Sequence, residues 1–215
     1  MGEMSRSSSA DETRELLTNK DKFDQLWRWA QLSSSSQMVP QHYRGKPEDT
    51  FVATTTAMRL GVDPILYMQN TYFIQGKPAV EAKFAIALAN GSGVFRGPIQ
   101  YDLEGTGDAM QARAYAIIDA TGDIAEEVVT MQQAHAEGWT KKAGSKWKTL
   151  PALMLKYRAA TFLVKLHCPE VLMGLQTTQE LTDISDNAPR SLTERVEKAN
   201  TAPVAEIVEE AEEVF

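Results

Sequence analysis

The sequence predicts an α+β fold, a small antiparallel sheet packed with helices and flanked by flexible N- and C-terminal tails. Three observations carry it. Residues 95–131 divide into β-rich segments separated by the turns Gly105-Thr106-Gly107-Asp108 and Thr121-Gly122-Asp123. The middle segment sets Ala112, Ala114, Ala116 and Ile118 on one face and Gln111, Arg113, Tyr115 and Ile117 on the other, and a face of small residues accepts a closely packed helix. Residues 150–166 are apolar nearly all round, the pattern of a helix buried on most sides.

In chain order, residues 1–12 are serine-rich and polar, with little reason to fold. From Glu12 to Gln31 the residues Leu16, Phe23, Leu26, Trp27 and Ala30 fall at helical spacing, which suits a short docking helix, and Ser33-Ser34-Ser35-Ser36 reads as a linker. Glu48 to Leu60 suits an amphipathic helix stopped by Gly61 and Pro64. Tyr72 to Gln75 is a strand, Gly76-Lys77 a turn, and Pro78 to Glu81 a returning strand. Ala82 to Asn90 is an alanine-rich helix ended by Gly91 and Gly93. Strands follow at Phe95–Leu103, Met110–Ile118 and Ile124–Met131. The last helix starts at Pro151, with Thr149 available as its cap, and ends by Pro169. This divides the chain into a flexible N-terminal segment with a short helix (1–37), a core (38–182) and an acidic, disordered tail (183–215).

At 215 residues, 43% hydrophobic and 24% charged, the chain suits one domain plus tails. There is no run of about 18 apolar residues to span a membrane. Cys168 is the lone cysteine, which excludes an internal disulfide and a cysteine-clustered zinc site. The start lacks the apolar stretch of a signal peptide, so a cytoplasmic setting in a bacterial or phage-infected cell is expected.

The net charge of -7 argues against a nucleic-acid binder until its distribution is read. Residues 40–180 hold 14 basic and 14 acidic side chains, while residues 181–215 hold 3 and 9. The acidity therefore sits in the tail. No acidic residue lies between Glu137 and Glu170, a stretch that carries Lys141, Lys142, Lys146, Lys148, Lys156, Arg158 and Lys165.

Within it, Gly138 to Lys148 interleaves four lysines with Trp139 and Trp147. Lysines neutralise phosphates and indoles stack on bases of any identity, which suits single-stranded nucleic acid. The plainer alternative makes both tryptophans anchors that pin the loop to the core. Arg158 and Lys165 share one face of the buried helix, with Thr161 between them. Buried charges need carboxylates, a solvent groove or an anionic ligand. A phosphate-lined groove is one solution; a carboxylate from the sheet, Glu104 or Glu127, is the other.

Catalytic patterns are weak. Gly138 to Gly144 lacks the Gly-Lys-Ser/Thr ending of a phosphate loop, and Gly91-Ser92-Gly93 lacks the third glycine of a dinucleotide site. His42, His135 and His167 are isolated and read as structural or exposed. Asp63 with Glu81-Ala82-Lys83 echoes the acid…Glu-x-Lys arrangement of metal-dependent nucleases, but Asp63 before Pro64 also suits a helix cap.

Leu60-Gly61-Val62-Asp63-Pro64 followed by Tyr72-Phe73-Ile74 resembles the N-terminal core of RecT-type proteins. Trp147, Pro151, Met154, Lys156, Arg158 and Lys165 resemble the Red-beta pattern of tryptophan, proline, methionine and then basic residues on one helix. The two blocks span residues 40–182. The resemblance implies single-stranded DNA binding and annealing of complementary strands in phage-type recombination. It implies no ATP requirement, no hydrolytic step and no cofactor. It also implies self-association into a ring or helical filament, with DNA in a basic groove. The backbone contacts it implies are Lys156, Arg158 and Lys165, aided by Lys146 and Lys148; the loop adds Lys141, Lys142 and Trp147, and the strand pattern adds Arg113 and Tyr115. Gly61, Asp63 and Pro64 would be structural. A phage exonuclease or a host single-strand binding protein is the implied partner. The tail Glu209-Glu210-Ala211-Glu212-Glu213-Val214-Phe215 resembles the acidic tip of bacterial single-strand binding proteins. It would recruit partners, compete with DNA for the groove, or simply solubilise the chain. The alternatives are a strand binder that does not anneal and the nuclease above.

Overall fold

The computed structural model describes residues 14–141 and 145–187. Helix α1 (Lys20–Ser34) is capped by Asn19, whose side chain accepts from the amides of Asp21 and Lys22. It runs through Ser33-Ser34, where a linker was expected. Both serines are buried; the Ser34 hydroxyl bonds back to the Gln31 carbonyl, and the Ser34 carbonyl accepts from Gly45. Short serines suit a helix end that neighbouring backbone approaches closely. Helix α2 (Pro47–Leu60) has proline and two acids in its first turn and is closed by Gly61 at φ 70°. It meets α1 through Phe51, whose ring lies 5.1 Å from Phe23 and 5.9 Å from Trp27.

Asp63 caps the short α3 (Pro64–Gln69), accepting from the Leu66 amide at 2.8 Å. Strands β1 (Thr71–Ile74) and β2 (Lys77–Val80) form a hairpin whose two turn residues, Gln75 and Gly76, both have positive φ, as a two-residue turn of this hand requires. Helix α4 (Ala82–Gly91) follows.

The main sheet is β3 (Gln100–Glu104), β4 (Gln111–Ile117) and β5 (Ile124–Thr130), all antiparallel. The strand expected from Phe95 begins only at Gln100. Phe95 makes an isolated bridge to Ile118, and Pro98 has no N–H to extend the ladder. After β5 come α5 (Met131–Ala136), the single-turn α6 (Lys146–Thr149) and the long α7 (Pro151–His167). Thr149 closes α6 and does not cap α7; Leu150 holds that position and has no side-chain acceptor to offer, while Pro151 removes one of the first-turn amides that would need a partner.

The chain then forms α8 (Pro169–Leu172), β6 (Gln176–Thr177) and α9 (Thr178–Asn187). Strand β6 runs parallel to β2, so the hairpin belongs to a second three-stranded sheet. Two residues are too few to leave an alternating signature, which is why the sequence shows one sheet. Helix α9 crosses the expected core boundary at residue 182.

Helix α7 lies on the inner face of the main sheet, where Ala112, Ala114, Ala116, Ala125 and Val129 meet its Ala159, Ala160 and Leu163 in the core. Gln111, Arg113 and Tyr115 point to the other side, as the alternation predicts. No described helix is long and apolar enough to cross a membrane. Ala114 is fully buried at this close approach. Ala114→Leu is expected to lower unfolding free energy in urea by about 1–3 kcal/mol. Tyr115→Phe on the opposite face should stay within about 0.5 kcal/mol.

Candidate nucleic-acid interface

The lysine–tryptophan loop folds as an anchor. Trp139 and Trp147 are 6% and 5% exposed and stack on each other with centroids 5.1 Å apart. Ser145 fixes the loop by donating to the Trp139 carbonyl and accepting from the Trp147 amide. Trp147, expected as a base-stacking contact, is in this structure covered on the face that meets Trp139 and packed into the core. Lys141, Lys146 and Lys148 remain exposed beside this anchor. Lys142 lies outside the described residues.

Helix α7 carries its basic residues in three environments. Lys156 is half-buried, its ammonium 6.0 Å from the centre of the Tyr101 ring. Arg158 is 2% exposed. Its guanidinium lies 4.0 Å from the centre of the Trp139 ring and bonds Asp183 on α9. Lys165 donates to Glu180, also on α9, at 2.5 Å. The carboxylates anticipated from the sheet come instead from beyond α7: Glu104 bonds Gln111, and Glu127 faces His167 at 3.7 Å. Arg158 is closed off from solvent, whereas the Lys165 side chain keeps 31% of its surface exposed.

Arg113 and Tyr115 stand on the other face of the main sheet. Arg113 bonds Glu126 and Asp102 and lies 4.5 Å over the Tyr115 ring. Its pKa is raised, chiefly by the hydrogen bond it donates to Glu126. Strand pairing puts Asp102, Glu104 and Glu126 on this face with it. Three carboxylates to one guanidinium leave this face with a net negative charge.

A different surface gathers the expected chemistry. Between the β1–β2 hairpin, the start of α4 and helices α6 and α7 lies an open groove of about 660 Å³. Tyr72 and Phe73, 42% and 44% exposed, line it together with Lys83, Lys146 and Tyr157. The first residues of α9, Thr178 and Gln179, line it too. Glu81 accepts from the Tyr72 hydroxyl at 2.8 Å and pairs with Lys83 at 2.7 Å. Burial works to raise the Glu81 pKa, but the bonds from Lys83 and Tyr72 and the charges of Lys83 and Lys146 hold it below the ordinary value. The Glu81 bond in turn raises Lys83, which stays cationic. His42 supports the hairpin, its ring 5.9 Å from Tyr72 and 5.8 Å from Phe73, and burial lowers its pKa.

The groove thus holds the Glu81 and Lys83 of the nuclease-like pattern, while Asp63 is committed to capping α3. No cluster of three metal-ligating side chains occurs among the described residues. Tyr72, Phe73 and Lys83 were not expected as contacts. The signal for the two rings was slight: adjacent aromatics on a hairpin strand of only four residues, Thr71–Ile74.

The RecT family profile matches residues 30–192, from within α1 to beyond α9, and so takes in both sequence blocks and every element of the groove. No curated protein and no solved structure matches. With three quarters of its length covered by that single match, the chain belongs to the RecT family, the single-strand annealing proteins of phage-type recombination.

Proposed function

We propose that this chain binds single-stranded DNA along the hairpin groove and anneals it to a complementary strand without ATP. The observation that carries the reading is the meeting of two half-exposed aromatic rings, Tyr72 and Phe73, with Lys83 and Lys146 in one open groove. Aromatic faces stack on any base, and ammonium groups neutralise backbone phosphates, so binding needs no sequence. Lys141, Lys148 and Lys156 extend the positive surface around the loop and α7. Pairing between the strands supplies the specificity, while the protein relieves their mutual repulsion. Self-association into a ring or filament would join the grooves of successive subunits, and an exonuclease or a single-strand binding protein would deliver the strand.

Annealing of two dye-labelled complementary oligonucleotides, without ATP, tests the reading. Pairing should be faster with the protein; slower pairing would mark a strand binder that protects without annealing. Tyr72→Ala with Phe73→Ala should weaken oligo-dT binding by about 1–3 kcal/mol per stacked base. Lys83→Ala with Lys146→Ala should lessen the log–log salt slope by about 0.7 for each lost phosphate contact. Trp147→Ala should act on the fold instead, costing about 3–5 kcal/mol in urea unfolding as a buried indole does.

A further inference from the structure

We propose that α9 is a displaceable acidic strap, and that phosphates of bound single-stranded DNA take the places of Glu180 and Asp183 on Lys165 and Arg158. The inference rests on the single-strand binding proposed above and assigns a regulation to that site.

Met154, Arg158, Thr161 and Lys165 follow one another at four-, three- and four-residue steps and so share a face of α7. Over those eleven residues the face runs about 16 Å along the helix. Its N-terminal end, Met154, lines the hairpin groove, and there Gln179 of α9 lies over it, its amide nitrogen 3.9 Å from the sulfur. The groove therefore stops where α9 begins to cover α7. Lifting α9 would continue it past Arg158 to Lys165.

The cations are held ready for that exchange. Arg158 rests on Trp139 and stands 5.8 Å from the Phe162 ring, contacts that do not involve α9. Its Nε is buried with no hydrogen-bond partner among the described residues, so Asp183 leaves part of the guanidinium fork unused. A backbone phosphate, whose two charged oxygens can take a bidentate position on a guanidinium, can fill it. Exchanging carboxylate for phosphate also keeps a negative charge on each cation, so neither is left uncompensated.

The strap is built to let go. Its sequence, TQELTDISDN, is mostly polar, and Leu181 is an apolar side chain it buries, at 5% exposure. Glu180 also accepts from the amide and hydroxyl of Thr177, both at 2.9 Å. That is the carboxylate half of a capping box, and it stabilises the first turn of α9 whether or not Lys165 is engaged. Releasing Lys165 therefore leaves Glu180 with local partners and α9 with its cap.

The test combines fluorescence anisotropy with labelled oligo-dT and hydrogen exchange of the α9 amides, on the full chain, in the same samples. Saturating oligo-dT should strip protection from residues 178–187 while leaving α7 protected. Glu180→Gln with Asp183→Asn should bind oligo-dT more tightly; if nine in ten free molecules are strapped, the gain is about tenfold. The variant should also bind with a salt dependence at least as steep as the parent's. Retained or increased α9 protection in a demonstrated DNA complex would overturn the strap and leave single-strand binding standing. Absence of binding by both the parent and the variant would sink the strap together with the function on which it rests. The exchange measurement on the unaltered protein decides the matter even if the double variant fails to fold.

Discussion

The structure depends on the enclosure of α7. A helix apolar on nearly every side must be covered on nearly every side, and each neighbour supplies part of the cover. The alanine face of the main sheet lets it approach closely, α4 packs beside it, and the Trp139–Trp147 stack closes over its basic side. That enclosure traps Arg158 at 2% exposure. A guanidinium in such a place needs a counter-charge, and a buried charge stripped of its partner costs several kcal/mol, of the order of 3–5. Asp183 answers it from 25 residues downstream. Packing around one helix thus dictates where the chain beyond the core must return.

Charge is organised by tertiary contact more than by sequence neighbourhood. The acid-free stretch from Glu137 to Glu170 looks like a continuous basic strip, yet folding divides it. Arg158 and Lys165 are answered by α9, whereas Lys141, Lys146 and Lys148 remain exposed. Arg113 shows the same rule on the sheet, since its two carboxylates come from β3 and β5 and neither adjoins it in sequence. Formal charge along a chain says which sign is available. Only the pairing says how much of it solvent, or a phosphate, can reach.

This is why the fold was more legible than the site. Alternation in β4, the glycine stops after α2 and α4, and the all-round apolarity of α7 are local patterns, and each reports the element that carries it. Register, the parallel return of β6 and the landing of α9 are long-range matters with no local signature. The sequence left the role of the indoles open for a related reason: an aromatic ring between lysines has the same composition whether it anchors a loop or stacks on a base. What separates the two is which face is covered. Trp139 and Trp147 cover each other, while Tyr72 and Phe73 leave more than two fifths of their surface open.

The openness of the groove bears on what an annealing surface must do. A closed pocket that wrapped each base would bind a strand tightly and hide the edges needed for pairing. Half-exposed rings on a hairpin give stacking energy without enclosing the Watson–Crick edges. Two lysines, one already sharing its charge with Glu81, neutralise some phosphates without neutralising all of them. On the proposed reading, such moderate affinity is a requirement: the strand has to be held long enough to meet its complement and loosely enough to become part of a duplex. The acidic strap would serve the same end, because every phosphate seated on α7 must first displace a carboxylate, and the exchange stays near balance in both directions.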